Sequence, residues 1–202
     1  MRLYLSSFRI GNHPDRLLGL LGTGRKTALI RNAVEGLPFR ADSLARDVAD
    51  LQQLGLNVTV LDLREPGAVE RLPDFDLLFV RGGNVFTLRR VLADTGADTA
   101  ILALLARDAV VYAGFSAGPC VLSPDLLPLA AVDPVGDLPN PVTTGLGLLD
   151  RLFVPHVDSP EHPETADCTR LAAQLEAQGI PIWRLRDGDV LVREGDQDDL
   201  LT

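Results

Sequence analysis

One pentapeptide, Gly114-Phe115-Ser116-Ala117-Gly118, constrains this chain more than any other stretch, because it directly follows the apolar run Val110-Val111-Tyr112-Ala113. A β-branched and aromatic run that ends in Gly-x-Ser-x-Gly predicts a strand turning abruptly into a helix, with a serine on the turn. The flanking glycines have a steric reason. A residue held on so tight a turn takes a strained backbone conformation, and its neighbours crowd together where a Cβ would clash. A helix beginning at Ala117 would point its free N–H groups at the serine, and the N–H of Ala117 would face a developing oxyanion. The pentapeptide alone is common; the hydrophobic strand before it supplies the context that the motif requires.

The rest of the chain alternates strand and helix patterns. Strands are predicted at 3–6, 27–31, 57–63 (the last read as buried), 76–80 and 109–113, and helical segments at 15–21, 42–53, 85–92 and 98–107. Continuous apolar strands mean burial on both faces. The fold class is therefore α/β, a doubly wound, mainly parallel sheet with helices on both faces, in one domain over 1–202. A Pro/Gly-rich stretch at 123–147 interrupts the alternation, and a long loop in a compact domain is usually functional. After it come a strand at 149–155, an amphipathic helix at 163–178, and a C-terminal hairpin. Ile182 to Leu185 and Val190 to Arg193, joined around Asp187-Gly188, have the Asp-Gly turn signature. Residues 194–202 read as a solvated acidic tail.

Composition excludes several function classes. The 202 residues are 46% hydrophobic and 23% charged, as expected of a folded chain. A formal net charge of −9 argues against a nucleic-acid surface, which needs clustered cations. No apolar run reaches the roughly 18 residues of a membrane span, and the N-terminus lacks the apolar length of a signal peptide. Cys120 and Cys168 are far apart without metal-type spacing, so neither a metal nor another cofactor is expected, and a cytoplasmic setting is. Gly22-Thr23-Gly24-Arg25-Lys26-Thr27 resembles a phosphate loop only superficially, since a strand follows where a helix should.

In an open α/β sheet, ligands bind at the carboxyl ends of the strands. Three sequences stand at such ends: Arg81-Gly82-Gly83-Asn84, Ser116 and His156. The N–H of Gly83 could pair with that of Ala117 as an oxyanion hole. His156 is the natural proton acceptor for a serine hydroxyl; His13 and His162 read as bystanders. Ordering the imidazole takes a third group, usually a carboxylate. Asp133, Asp137 and Asp158 are the candidates; Asp158 is included because side chains at i and i+2 of an extended segment share a face.

With these residues in view, Phe79-Val80-Arg81-Gly82-Gly83-Asn84-Val85-Phe86-Thr87-Leu88, then Tyr112 to Gly118, then Val154-Pro155-His156, resemble the peptidase E family of aspartyl dipeptidases. The family is related to cyanophycinase and has a class I glutamine amidotransferase-like fold. The resemblance implies Ser116 as nucleophile, His156 as base and Asp133 as the acid. It also implies oxyanion donors at Gly83 and Ala117, and substrate contacts from Gly82 and Asn84. Two positions depart from the pattern. Arg81 replaces the first of three glycines, where it would intrude on the site or bind a carboxylate. Ala166 stands where the family carries the arginine that grips the substrate's acidic side chain, leaving Arg170, one turn on, as the substitute. The implied partner is a small peptide, with cleavage of Asp-X dipeptides in doubt; the oligomeric state stays open, a homodimer being one option. Two alternatives stand beside this reading: an esterase or amidase of α/β-hydrolase type, and a binding domain that has lost activity.

Overall fold

The computed structural model describes residues 1–34, 40–135 and 141–202. Nine strands are found among them: β1 (Arg2–Ser6), β2 (Lys26–Ile30), β3 (Asn57–Leu61), β4 (Leu77–Val80), β5 (Val111–Phe115), β6 (Leu152–Val154), β7 (Ile182–Arg184), β8 (Val190–Glu194) and β9 (Gln197–Leu201). The helices are α1 (Pro14–Leu21), α2 (Arg40–Gln53), α3 (Val85–Thr95), α4 (Ala97–Ala106), α5 (Ala117–Cys120) and α6 (Thr165–Ala177).

Seven strands form one sheet in the order β3-β2-β4-β5-β1-β8-β9. The first five run parallel, and β8 and β9 close the far edge antiparallel. Every residue of β4 and β5 is buried, the signature of a sheet covered on both faces. Leu17 and Leu20 of α1 and Leu51 of α2 pack on one face. Phe86 of α3, Ile101 of α4 and Leu171 of α6 belong to the core on the other. Three adjacent central strands, β4, β5 and β1, therefore end side by side, and their carboxyl ends hold Gly82-Gly83, Ser116 and Ser7.

The structure corrects the sequence reading in three places. β3 is an edge strand whose Val60 is 40% exposed, rather than a buried one, because β2 pairs it on one side only. The strand before His156 is not part of the main sheet: β6 pairs in parallel with β7 in a separate two-stranded sheet. Asp187-Gly188 consequently does not close a hairpin; it is the crossover from β7 to β8, which pairs with β1. The C-terminal hairpin is built from β8 and β9 instead. Residues taken for a loose acidic tail supply its second strand, held by Arg193 to Asp198 at 2.6 Å.

Candidate active site

Ser116 sits between β5 and α5 with φ 53° and ψ −113°, a backbone conformation that side-chain-bearing residues rarely adopt. Both flanking glycines press on a single atom of the neighbouring strand. A Cβ on Gly114 would lie 2.2 Å from the Val80 carbonyl oxygen, and one on Gly118 would lie 2.3 Å from it. Neither contact leaves room for a side chain, so the turn is held by backbone packing against β4. Its amide is held as well, since the Ser116 N–H donates to the Ser7 carbonyl at 3.2 Å.

Gly83, at φ 141°, lies where an added Cβ would meet the Ala33 carbonyl oxygen at 2.2 Å. The N–H groups of Gly83 and Ala117 have no acceptor among the described residues. Gly82 gives way to the serine, because a Cβ there would come within 2.9 Å of the Ser116 Cβ. Asn84 is spent on structure: its Oδ1 caps α3 by accepting from the Thr87 N–H, and its Nδ2 donates to the Pro134 carbonyl.

His156 follows β6 with φ 60° and a side chain only 2% exposed. Its Nδ1 lies 2.7 Å from the Asp187 carboxylate. The expected partner, Asp133, does something else: its Oδ2 accepts from the Val85 N–H at 2.7 Å, at the start of α3. Burial pushes the Asp133 carboxyl up to about 6, against the hydrogen bond from Val85. Asp158 faces outward, 2.7 Å from Arg184. The i to i+2 argument fails there because His156 and Asp158 both have positive φ, so the segment is not extended. Asp137 lies outside the described residues.

Sequence reasoning missed Ser7, which ties the parts together. Its Oγ accepts from the His156 backbone N–H at 2.8 Å and donates to Asp187 Oδ1 at 2.9 Å, while its carbonyl holds Ser116. Burial alone would raise the Asp187 carboxyl, but the hydrogen bonds from His156 and Ser7 outweigh it and hold it below the usual carboxylate range. The available signal was positional: Ser6-Ser7 ends a central strand next to the elbow strand.

His162 is no bystander. Its ring stacks on His156 with centroids 3.5 Å apart and planes 3° from parallel, and Phe8 meets both rings edge-on. Burial, followed by the charge of His156, lowers the His162 imidazole to about 4. His156, His162 and Glu164 bring metal-ligating atoms within 4.8 Å of one another. Stacked parallel rings keep their nitrogen lone pairs in separate planes, however, which suits a shared tetrahedral ion poorly.

Ser116, His156, Asp133 and Glu164 line a cavity of about 290 Å³ together with Gly83 and Phe8. A larger one, about 460 Å³, is lined by Phe8 and Asp187 and does not include Ser116. Two predicted contacts are absent from the site. Arg81 is buried against α2, 2.8 Å from Asp47 and 3.0 Å from the Ser43 hydroxyl, so it neither intrudes nor meets a substrate. Arg170 is 69% exposed on α6, pairs with Asp167, and lines neither cavity that contains Ser116.

A serine on a strained strand–helix turn, unpaired N–H groups beside it and a carboxylate-held histidine lining the same cavity make up a serine-hydrolase type of site. The chain belongs to Peptidase family S51, whose profile matches residues 16–201. It is 31% identical to Peptidase E of Streptomyces coelicolor over 188 residues, 91% of this chain and 74% of that one. A probable alpha-aspartyl dipeptidase of Drosophila melanogaster is 29% identical over 213 residues, covering 98% and 85%. The fold matches a crystal structure of a candidate peptidase E from Listeria monocytogenes with a TM-score of 0.78, at 24% identity and covering 99% and 97%. The protein is thus a hydrolase of the peptidase class. No helix among the described residues is long and apolar enough to cross a membrane.

Proposed function

We propose that this serine peptidase cleaves small peptides through an acyl-enzyme formed on Ser116, with His156 as base and Asp187 as the orienting acid. The observation that carries the assignment of the acid is the 2.7 Å contact between His156 Nδ1 and Asp187. A carboxylate at Nδ1 keeps the ring proton there and leaves Nε2 basic. The Ser116 Oγ attacks the scissile carbonyl carbon and gives its proton to His156 Nε2. The tetrahedral oxyanion is received by the N–H groups of Gly83 and Ala117. Collapse expels the amine, which takes the proton from the imidazolium. Water then repeats the sequence on the acyl-enzyme and frees the acid.

The chain order favours this reading over an α/β-hydrolase. Those enzymes run Ser…Asp…His, whereas here the acid follows the histidine. An amidase or esterase using the same three residues differs only in substrate. Cys120 and Cys168 are both free and buried, in keeping with a reducing cytoplasm as the setting. The test is labelling by a serine-directed phosphonate together with dipeptide hydrolysis. Ser116→Ala should abolish labelling and lower turnover by about 10⁴ to 10⁶ with the fold intact. Substantial turnover by that variant would end the proposal.

A further inference from the structure

Beside the nucleophile, the site has a second, much smaller recess. It lies between Ser116, α6 and the segment around Asp133, and has a volume of about 20 Å³. That is room for a group of about one or two non-hydrogen atoms, a methyl or a hydroxymethyl. Its inner wall is neutral: Leu129, Val132, Cys120 and Cys168, with both thiols held protonated by burial. Its polar edge is acidic. Asp133 and Glu164 line both this recess and the cavity of about 290 Å³ that holds Ser116, and no arginine or lysine among the described residues lines either. One Asp133 oxygen is taken by the Val85 N–H, and Glu164 is an exposed residue whose carboxylate lies within 4.8 Å of ring nitrogens of His156 and His162.

Taking the site to be the hydrolytic one proposed above, we infer that it selects peptides whose first residue is small and uncharged, with the free α-ammonium held by Asp133 and Glu164. A substrate's first residue presents three things near the scissile carbonyl: a side chain, an amine and the carbonyl itself. The recess beside Ser116 takes the side chain of alanine or serine and has no room for a carboxymethyl group. An aspartate side chain would also stand beside two carboxylates with no cation to neutralise it, and an unpaired buried charge is poorly tolerated. The α-ammonium meets the opposite situation, since the same two carboxylates are the opposite charge it needs. Burial keeps Asp133 neutral up to about pH 6, so the grip on the amine strengthens above that pH.

The experiment is a panel of X-Leu dipeptides with X set to Gly, Ala, Ser, Asp, Leu and Phe, plus N-acetyl-Ala-Leu, on the unmodified protein. Phosphonate labelling of Ser116 is measured in parallel. Ala-Leu and Ser-Leu should exceed Asp-Leu and Phe-Leu in kcat/KM by about 10²-fold, and acetylation should cost a similar factor. Glu164→Gln should raise KM for Ala-Leu while narrowing the gap between Ala-Leu and its acetylated form about tenfold. A protein that is labelled at Ser116 yet cleaves Asp-Leu best, or cleaves the acetylated peptide as well as the free one, overturns this specificity and leaves the hydrolase reading standing. Failure of Ser116 to label, with no dipeptide cleaved, overturns both.

Discussion

The two halves of the site are held by different physics. On the serine side, the backbone does the positioning: Gly114 and Gly118 pack against one carbonyl of β4, and Gly83 packs against the carbonyl of Ala33. On the histidine side, a side-chain network does it, with Ser7 at the end of β1 and Asp187 between β7 and β8 fixing His156. Steric packing tolerates no added atom and is cooperative with the fold. A hydrogen-bond network can lose a member with little unfolding, yet misplace a proton. Stability should therefore be sensitive on one side and turnover on the other.

The sharpest break of that contrast is at Asp187. Asp187→Asn should lower kcat by about 10³ to 10⁴, because the amide presents the wrong partner to Nδ1, while Tm shifts little. Ser7→Ala, which removes the support and leaves the acid, should cost only about 10- to 100-fold. Asp158→Asn, an exposed carboxylate on Arg184, should leave kcat essentially unchanged. Steady-state kinetics beside thermal melts checks all three, and a collapsed Tm in Asp187→Asn would contradict the division.

The serine side should respond in the opposite way. Gly118→Ala places a methyl 2.3 Å from the Val80 carbonyl oxygen, so β4 or β5 must shift. Destabilisation of about 3 kcal/mol or more is expected in urea unfolding. A Gly118→Ala variant as stable as the parent would show that the elbow is looser than its packing implies.

Which parts could be read from sequence follows from the same contrast. Backbone devices leave local signatures, so Gly114-x-Ser116-x-Gly118 and Gly82-Gly83 announced themselves, as did the parallel strands feeding them. The side-chain network is non-local: Ser7, His156 and Asp187 come from three distant segments, and no spacing rule links them. Asp187-Gly188 was also disguised, since an Asp-Gly pair between two apolar runs has the pattern of a hairpin turn. Asp133 attracted the acid's role by resembling the family's position, and the structure gives its carboxylate to Val85 instead.

The smallest expected effect concerns Asp133. Its carboxyl is raised from the ordinary 3.8 to about 6 in the folded protein, chiefly by burial. The folded state therefore holds its proton between about pH 4 and 6, where the unfolded chain has released it. Stability falls as pH rises through that window, and the penalty is complete above about pH 6. Asp133→Asn removes the titration and can still accept from Val85. Its Tm relative to the parent should rise by about 2–4 °C between about pH 4.5 and pH 7.5. A pH-independent difference would mean that Asp133 ionises normally.

The central claim is that Asp187 carries the hydrogen bond of His156 Nδ1. Proton NMR of the protein labelled with ¹⁵N-histidine reads that bond directly, as a strongly deshielded Nδ1–H resonance assigned to His156. The resonance should be present in the parent, persist in Asp133→Asn and disappear in Asp187→Asn. Persistence in Asp187→Asn with loss in Asp133→Asn would contradict the account and return the acid to Asp133.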